Sequence, residues 1–413
     1  MKLTVAAAER LAAALLSAAG MDEAAARTTA RCVVMADVWG IASHGLLRLP
    51  YYLQRMAAGG YPAGARLVTV RDSGPVAALD GGGGLGHWQL WHAAELAAGR
   101  CASYGLAAVS VANSGHCGAL GLYTIPGIEA GQITLAFSNG PAVMPPWGSS
   151  RPLLSTSPLA AGIPTRPQPV IVDMATSAVA RGKIAALAKN RTPVPPGWAL
   201  DAAGQPTTDP DAALHGLLAP LGGAKGFALA LLVEAMTGGL AGPYLSAEVP
   251  DMFDQSEAAH PQRIGHLLIA IDPDRFDPGD GSARQRLDKL AASVADAGGR
   301  LPGSRRKLPR DVDPASPLDL SGQTAAELRA WAGRLHVPIP ASNELSWLLL
   351  WEQRERWHMT GPGNREVAAI ERGDGVDALA LSKGHHAGIS RAKRQIGVPA
   401  GQFGSAAQVI CRQ

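Results

Sequence analysis

The sequence predicts an α+β protein, and three observations carry that prediction. Residues 1 to about 58 form an alanine- and leucine-rich stretch whose apolar positions recur at helical spacing. The middle of the chain holds short β-type runs separated by glycine, proline and hydroxyl residues. Helical periodicity returns at Thr324 to Leu335, after a charged segment that starts near residue 274. Apolar residues make up 47% of the 413 and charged residues 17%, which supports a buried core and argues against a disordered chain.

The first element imitates a signal peptide, with Lys2 ahead of an apolar stretch, but Glu9 and Arg10 interrupt it. It reads as an amphipathic helix with Leu11, Leu15 and Leu16 on its inner face. The helical region closes near Gly59-Gly60. Leu67 to Val70 reads as a strand, Gly81 to Gly84 as a loop, and Trp88 to Ala102 as a helix. Leu106 to Val111 and Gln132 to Phe137 read as strands, with a helix inside Gly121 to Ala130. From 138 to 180, turn residues alternate with short apolar runs such as Val170 to Val172. Ala224 to Gly238 follows as a helix and Leu267 to Ile271 as a strand. Beyond 340 the composition changes: Trp347 to Trp357 fits one helix, and the rest reads either as a poorly ordered tail or as a small helical addition. No internal repeat is visible.

A formal charge of +3 calls for neither nucleic acid nor an anionic membrane as partner, and no apolar run reaches the ~18 residues of a membrane span. The four cysteines Cys32, Cys101, Cys117 and Cys411 are scattered without a CxxC pair. They suggest neither a zinc site nor a disulfide framework, and a reducing cytoplasm fits them.

Four segments bear chemistry. On a helix, His44, Arg48 and Tyr52 would project from one face at i, i+4 and i+8. An imidazole that handles a proton and a guanidinium that clamps a carboxylate are what a 2-oxo or 2-hydroxy acid requires. The same spacing also fits the wet side of a surface helix. Asn113 to Gly118 sets His116 among small residues after a strand, which fits either a ligand-facing corner or an ordinary turn. Ser138-Asn139-Gly140-Pro141, Pro145 to Gly148, Ser155 to Pro158 and Asp173 to Ser177 offer short polar groups to phosphate and ribose, or plain loop chemistry. Pro220 to Gly226 leads a lysine into a helix N-terminus, a plausible anion site without Walker spacing. Gly81, Gly83 and Gly86 satisfy G-x-G-x-x-G only because a glycine run contains it, and the helix is expected after the run, so a Rossmann site is not assigned.

Together these segments resemble the malate/L-lactate dehydrogenase family that lacks a Rossmann fold and includes ureidoglycolate, sulfolactate and diketogulonate enzymes and a cyclic-imine reductase. The resemblance runs from about residue 3 to 340. It rests on Ala36-Asp37, Ser43-His44-Gly45 with Arg48, Asn113-Ser114 with His116 and Gly118, and Pro146-Trp147-Gly148. It continues through Asp173 to Ser177, Arg181-Gly182-Lys183, Pro196 to Asp201, Thr207 to Pro210 and Pro220 to Gly226. It implies a homodimer with a non-Rossmann NAD(P)-binding domain over 76–269, built on a largely antiparallel sheet. A helical, substrate-side domain would come from 1–75 and 270–340, with 341–413 as an extension.

The resemblance further implies hydride exchange between NAD or NADP and C2 of a small carboxylate. Arg48 would hold the carboxylate, with Tyr52 nearby, and His44 or His116 would handle the proton. Cofactor contacts would fall at Ser138, Asn139, Gly140, Asp173, Met174, Ala175, Lys225, Gly226 and Gly303. A reductase of cyclic imino acids and an inactive binding homologue are the alternatives. The chain departs from the family at Ser155 and Ser157, where Gly and Asn are usual, at Cys117, where an aromatic is usual, and at Ser304, where an acidic residue is usual.

Overall fold

A computed structural model describes residues 1–340 apart from 253 and 280. The readings made on 341–413, including the helix expected at Trp347 to Trp357, lie outside the described residues.

Both ends of the described chain meet in one core. Strand β1 (Lys2–Thr4) leads into α1 (Val5–Ala18), where the Thr4 hydroxyl accepts the Ala7 N–H and caps the first turn. Helix α2 (Glu23–Val38) is capped in the same way by Asp22. Helix α3 (Leu49–Ala58) stops at Gly59, whose φ of +91° is the left-handed C-terminal turn that glycine adopts without a Cβ penalty. Leu11, Leu15, Leu16, Val33, Leu49 and Leu53 bury here. Leu328 and Ala332 of α10 (Gly322–Arg334) join them, and β12 (Pro317–Asp319) pairs antiparallel with β1.

The second core is built on a seven-stranded sheet. Its strands are β2 (Val68–Ser73), β3 (Val76–Asp80), β4 (Leu106–Ser114), β5 (Ile133–Ser138), β6 (Leu159–Ile163), β7 (Val170–Met174) and β11 (Ile264–Ile271). Their order is β2-β3-β4-β11-β5-β6-β7. Every pairing is antiparallel except β3 with β4, and that parallel pair is joined, as parallel strands must be, by a helical crossover, α4 (Gly86–Tyr104). The sheet is therefore mixed and mostly antiparallel. Strand β11 sits centrally and its Ile264–Leu268 are all buried, which explains why it reads as an apolar run rather than an alternation. Helix α5 (Ile125–Glu129) packs beside α4 and the sheet.

A third core lies over 143–230. It gathers Met144, Leu154, Ile184, Val194, Leu218 and Ala230 under α6 (Arg181–Lys189), α7 (Pro210–Leu214), α8 (Ala224–Glu234) and the small sheet β10-β8-β9. Those strands are β8 (Ala199–Leu200), β9 (Pro206–Thr207) and β10 (Leu217–Leu218). The helix expected over Ala224 to Gly238 is α8 followed by a wider π turn at Ala235–Gly239. Helix α9 (Ala283–Asp296) is not visible in the periodicity because its charged sequence buries only Ala291. No helix among the described residues is long and apolar enough to cross a membrane.

Candidate active site

The single helix expected to carry His44, Arg48 and Tyr52 is broken. Ala42–His44 and Leu46–Arg48 are separate 3₁₀ turns, and α3 begins only at Leu49. The break falls at Gly45, whose backbone is extended (φ −91°, ψ −151°), and the Leu46 N–H turns to the Asp37 carboxylate at 2.8 Å. The three side chains nonetheless converge, by a route other than helical spacing.

The His44 ring lies over the His116 ring, 5.7 Å between centroids and 21° from parallel. The Tyr52 hydroxyl sits 2.8 Å from His116 Nδ1, and its ring is fully buried behind the pair. Arg48 ends its 3₁₀ turn with Nε donating to the Ser43 carbonyl at 2.9 Å. Its positive charge is close enough to depress the basicity of both His44 and His116.

Burial dominates the electrostatics. It pushes His44 down to about 4, with the Arg48 charge adding to the effect. His116 falls well below its ordinary value through burial first, then the neighbouring His44, His87 and Arg48. Tyr52 is pushed up by burial. All three are therefore neutral at pH 7 in the ligand-free protein.

The tautomer of His116 follows from its partners. The Gly118 N–H, which can only donate, points at Nδ1 from 3.3 Å, so the neutral ring carries its proton on Nε2 and Tyr52 donates to Nδ1. His44 differs: its Nδ1 is 2.9 Å from the Ser43 hydroxyl, which can donate or accept.

A third imidazole belongs to this cluster. His87 is completely buried in the first turn of α4, edge-on to Tyr52 at 5.0 Å and to His116 at 6.3 Å, and neither ring nitrogen has a hydrogen-bond partner among the described residues. Burial, with His44 and His266 nearby, lowers it to about 3. The helix expected from Trp88 leaves this residue out. A histidine at the mouth of a glycine run is the signal that could have found it.

The glycine run itself does follow a strand and open a helix, since α4 starts at Gly86 and not after it. It still cannot cradle a diphosphate, because the five glycine N–H groups are all taken. Gly81 donates to Ala112 O, Gly82 to Asp80 Oδ1, Gly83 to Asn113 O, Gly84 to Gly81 O and Gly86 to His116 O. Gly86 is needed for a different reason: a Cβ there would overlap the Gly115 carbonyl, so the run lets the His116 loop rest on the helix end.

The other candidate positions form connected segments around the third core and the sheet edge. Ser138 ends β5, and its hydroxyl meets Cys117, the neighbour of His116. The Asn139 carboxamide is turned inward, donating to Tyr244 O and accepting the Gly265 N–H at 3.0 Å each. Gly140 is buried, and a Cβ there would meet Ser155 Cβ at 3.8 Å, an ordinary packing contact. Asp173 and Met174 end β7, and Ala175 follows; Asp173 is raised by burial despite Arg306 at 3.7 Å. Gly303, at φ +75°, packs on Ile171, so a late segment reaches β7 beside Asp173.

Thr176 accepts the Leu221 N–H and thereby ties 173–177 to the loop before α8. There Lys225 is exposed in a first turn that no side chain caps, and Gly226 is required because a Cβ would overlap Leu221. The unusual Ser157 sits at φ +40°, a conformation asparagine tolerates better, and is pinned by the Ser155 hydroxyl at 2.9 Å. A cleft of about 320 Å³ lined by Val143, Arg181, Ile184, His215 and Asp251 includes none of the expected site residues. Among the described residues no group of three His, Cys, Asp or Glu could hold a metal ion.

The family model described as malate/L-lactate dehydrogenase matches residues 3–328. A (2R)-3-sulfolactate dehydrogenase (NADP(+)) from Chromohalobacter salexigens is 39% identical over 326 residues, 79% of this chain and 96% of that protein. Among solved structures, the sulfolactate dehydrogenase of Methanocaldococcus jannaschii superposes with a TM-score of 0.74 at 28% identity, covering 82% of this chain and 98% of the other. The Δ1-piperideine-2-carboxylate reductase of Pseudomonas syringae pv. tomato gives 0.73 at 31% identity, covering 80% and 100%.

Proposed function

The chain belongs to the malate/L-lactate dehydrogenase family, and from this premise we propose that the imidazole cluster is its active site. The protein is an NAD(P)-dependent oxidoreductase of small 2-hydroxy and 2-oxo acids. The nicotinamide, when bound, supplies or accepts the hydride at C2. One observation carries the residue assignment: two stacked imidazoles, one of them held by a buried phenol, lie within the field of a single arginine.

Arg48 binds the substrate carboxylate through paired hydrogen bonds, which a guanidinium forms and a point charge does not. The anion it brings in offsets the charge that depresses both histidines. His116, with Nδ1 occupied by two donors, presents Nε2–H to the substrate oxygen as a neutral hydrogen-bond donor. His44 carries the transferable proton, because its Ser43 partner can change role without breaking a backbone bond. Tyr52 donates to Nδ1 from behind and holds the ring in place.

The cofactor fits the residues at hand. The uncapped first turn of α8 with exposed Lys225 suits a phosphate. We assign Ser138, Gly140, Asp173, Met174, Ala175, Lys225, Gly226 and Gly303 to this role, with Asn139 holding the segment in place. The cofactor part spans 76–269 in a non-Rossmann arrangement, and 1–75 with 270–340 provides the substrate side.

A homodimer belongs to the same reading. Leu231 and Leu232 of α8 are 50% and 53% exposed and Leu240 66%, an apolar face suited to a second copy. So does a cytoplasmic location, in keeping with the free thiols of Cys32, Cys101 and Cys117.

Oxidation of NADPH and NADH, followed with 3-sulfopyruvate, oxaloacetate, pyruvate and piperideine-2-carboxylate, tests the assignment. Turnover of a 2-oxo acid that is lost in Arg48→Ala supports it, and turnover unaffected by Arg48, His44 and His116 substitutions overturns it. The imine reductase relative keeps a second reading open, in which His44 protonates nitrogen; preference for the imine in this panel would select it.

A further inference from the structure

The segment that carries His44 and Arg48 has almost no regular structure of its own. Its backbone bonds are the short-range ones of two 3₁₀ turns: His44 N–H to Ile41 O, Gly45 N–H to Ala42 O and Arg48 N–H to Gly45 O. At the point where the helix breaks, a side-chain hydrogen bond ties its backbone to α2. Asp37 Oδ2 accepts the Leu46 N–H at 2.8 Å.

Three features make this contact unusual. Asp37 lies in the last turn of α2, where the helix dipole disfavours a negative charge. It is also partly buried, and burial lifts its carboxyl to about 6. Gly45 rests directly on this carboxylate, so that a Cβ would overlap both oxygens and Cγ, although its φ of −91° is open to any residue. The glycine is thus demanded by the carboxylate and not by the backbone. An acid at a helix end and a glycine with an ordinary conformation are both unexplained by the stability of α2. Both are explained by the loop they hold.

We propose that Asp37 is a positioning residue that fixes the 42–48 loop by accepting the Leu46 N–H against the bare Cα of Gly45, so that His44 and Arg48 face one substrate. It touches neither substrate nor cofactor and acts through the backbone. The inference rests on the reading of His44 and Arg48 given above.

Hydrogen exchange of the peptide 41–48 and steady-state kinetics, measured on the full chain with the 2-oxo acid it reduces fastest, form the test. Asp37→Ala should speed exchange in 41–48 by ~10-fold or more while peptides in α3 stay as they are, since it leaves the Leu46 N–H without an acceptor. The KM for the acid should rise ~10–100-fold, the KM for NADPH staying within about twofold, because displacing a clamp by 1 Å has effects of this order. Asp37→Asn, which keeps an oxygen acceptor, should restore both to within a few-fold.

Gly45→Ala should mimic Asp37→Ala, and should do much less harm in the Asp37→Ala background, where the carboxylate no longer occupies the space. Wild-type exchange and KM in Asp37→Ala overturn the inference, as does strict additivity of the two changes. An unchanged KM in Arg48→Ala would instead overturn the site assignment beneath it, and the exchange data would still decide whether Asp37 holds the loop.

Discussion

Residues 42–48 and 81–86 are both short glycine-bearing loops set directly before a helix, and they do opposite things. The second matches a nucleotide-binding pattern and stands between a strand and a helix, yet its glycine N–H groups all bond within the protein. The first matches no phosphate pattern, but it turns an imidazole and a guanidinium toward the His116 corner. The difference lies in what each loop presents: backbone N–H groups bonded inward in one, side chains gathered at His116 in the other. A motif specifies a backbone shape, whereas a site needs donors and charges that the fold has not already satisfied.

The largest expected effect breaks the comparison on the active side. Arg48→Ala should raise the KM for the carboxylate substrate by ~100-fold, the scale of losing one partner of a buried charged pair. Thermal stability should change little, because Arg48 is only partly buried. A raised KM accompanied by a large drop in melting temperature would recast Arg48 as structural. On the other loop the balance should reverse. Gly86→Ala forces a Cβ into the Gly115 carbonyl and within 3.1 Å of His116 O, so it should destabilise by about 1–3 kcal/mol in urea unfolding. Cofactor affinity should be unaffected. A weakened NADPH Kd without loss of stability would restore the glycine run as a nucleotide site.

How far the sequence went follows the same line. Periodicity locates α1, α4, α8, α10, β4, β5, β7 and β11 because each buries one face or both. It misses α9, which buries almost nothing, and the small sheet of two-residue strands, which is too short to have a period. His44, Arg48 and Tyr52 stand at a helical spacing that the structure does not use. They converge because Gly45 breaks the helix and the stacking of His116 restores the geometry. His87 stands out in the sequence only by its place at the mouth of the glycine run; its role depends on a contact across the fold, since α4 must meet the Gly118 turn before its ring lies in the cluster.

That buried ring gives the third effect. The folded protein holds His44 near 4, His87 and His266 near 3 and His116 well below its ordinary value, whereas the unfolded chain binds their protons near 6.5. The unfolded state therefore binds more protons below pH 6.5, and stability falls as pH drops through that window. Asp37, raised to about 6, and Glu9, Glu129 and Asp173, also raised by burial, have the opposite sign, so the contribution of one imidazole is read by comparing a variant with the wild type. His87→Phe keeps the edge-on aromatic contact and removes one titrating ring. It should lose about 1–2 kcal/mol less stability than the wild type between pH 7 and 5 in urea titrations. An unchanged pH dependence would mean that His87 is solvated or partnered in solution.

The smallest effect tests the remaining anion site. Lys225 is exposed at the start of α8, so its charge acts through water and within a Debye length of salt. A helix N-terminus and one surface lysine contribute ~0.3–1 kcal/mol toward a phosphate, which is a two- to fivefold change in NADPH Kd for Lys225→Ala. The loss should shrink as salt rises from 50 to about 300 mM, while the effect of Arg48→Ala on the acid persists, because Arg48 lies in the field of buried groups and is screened less. If both losses fade together with salt, the active loop is as open to solvent as the helix end, and the low basicity of His44 and His116 would need another cause.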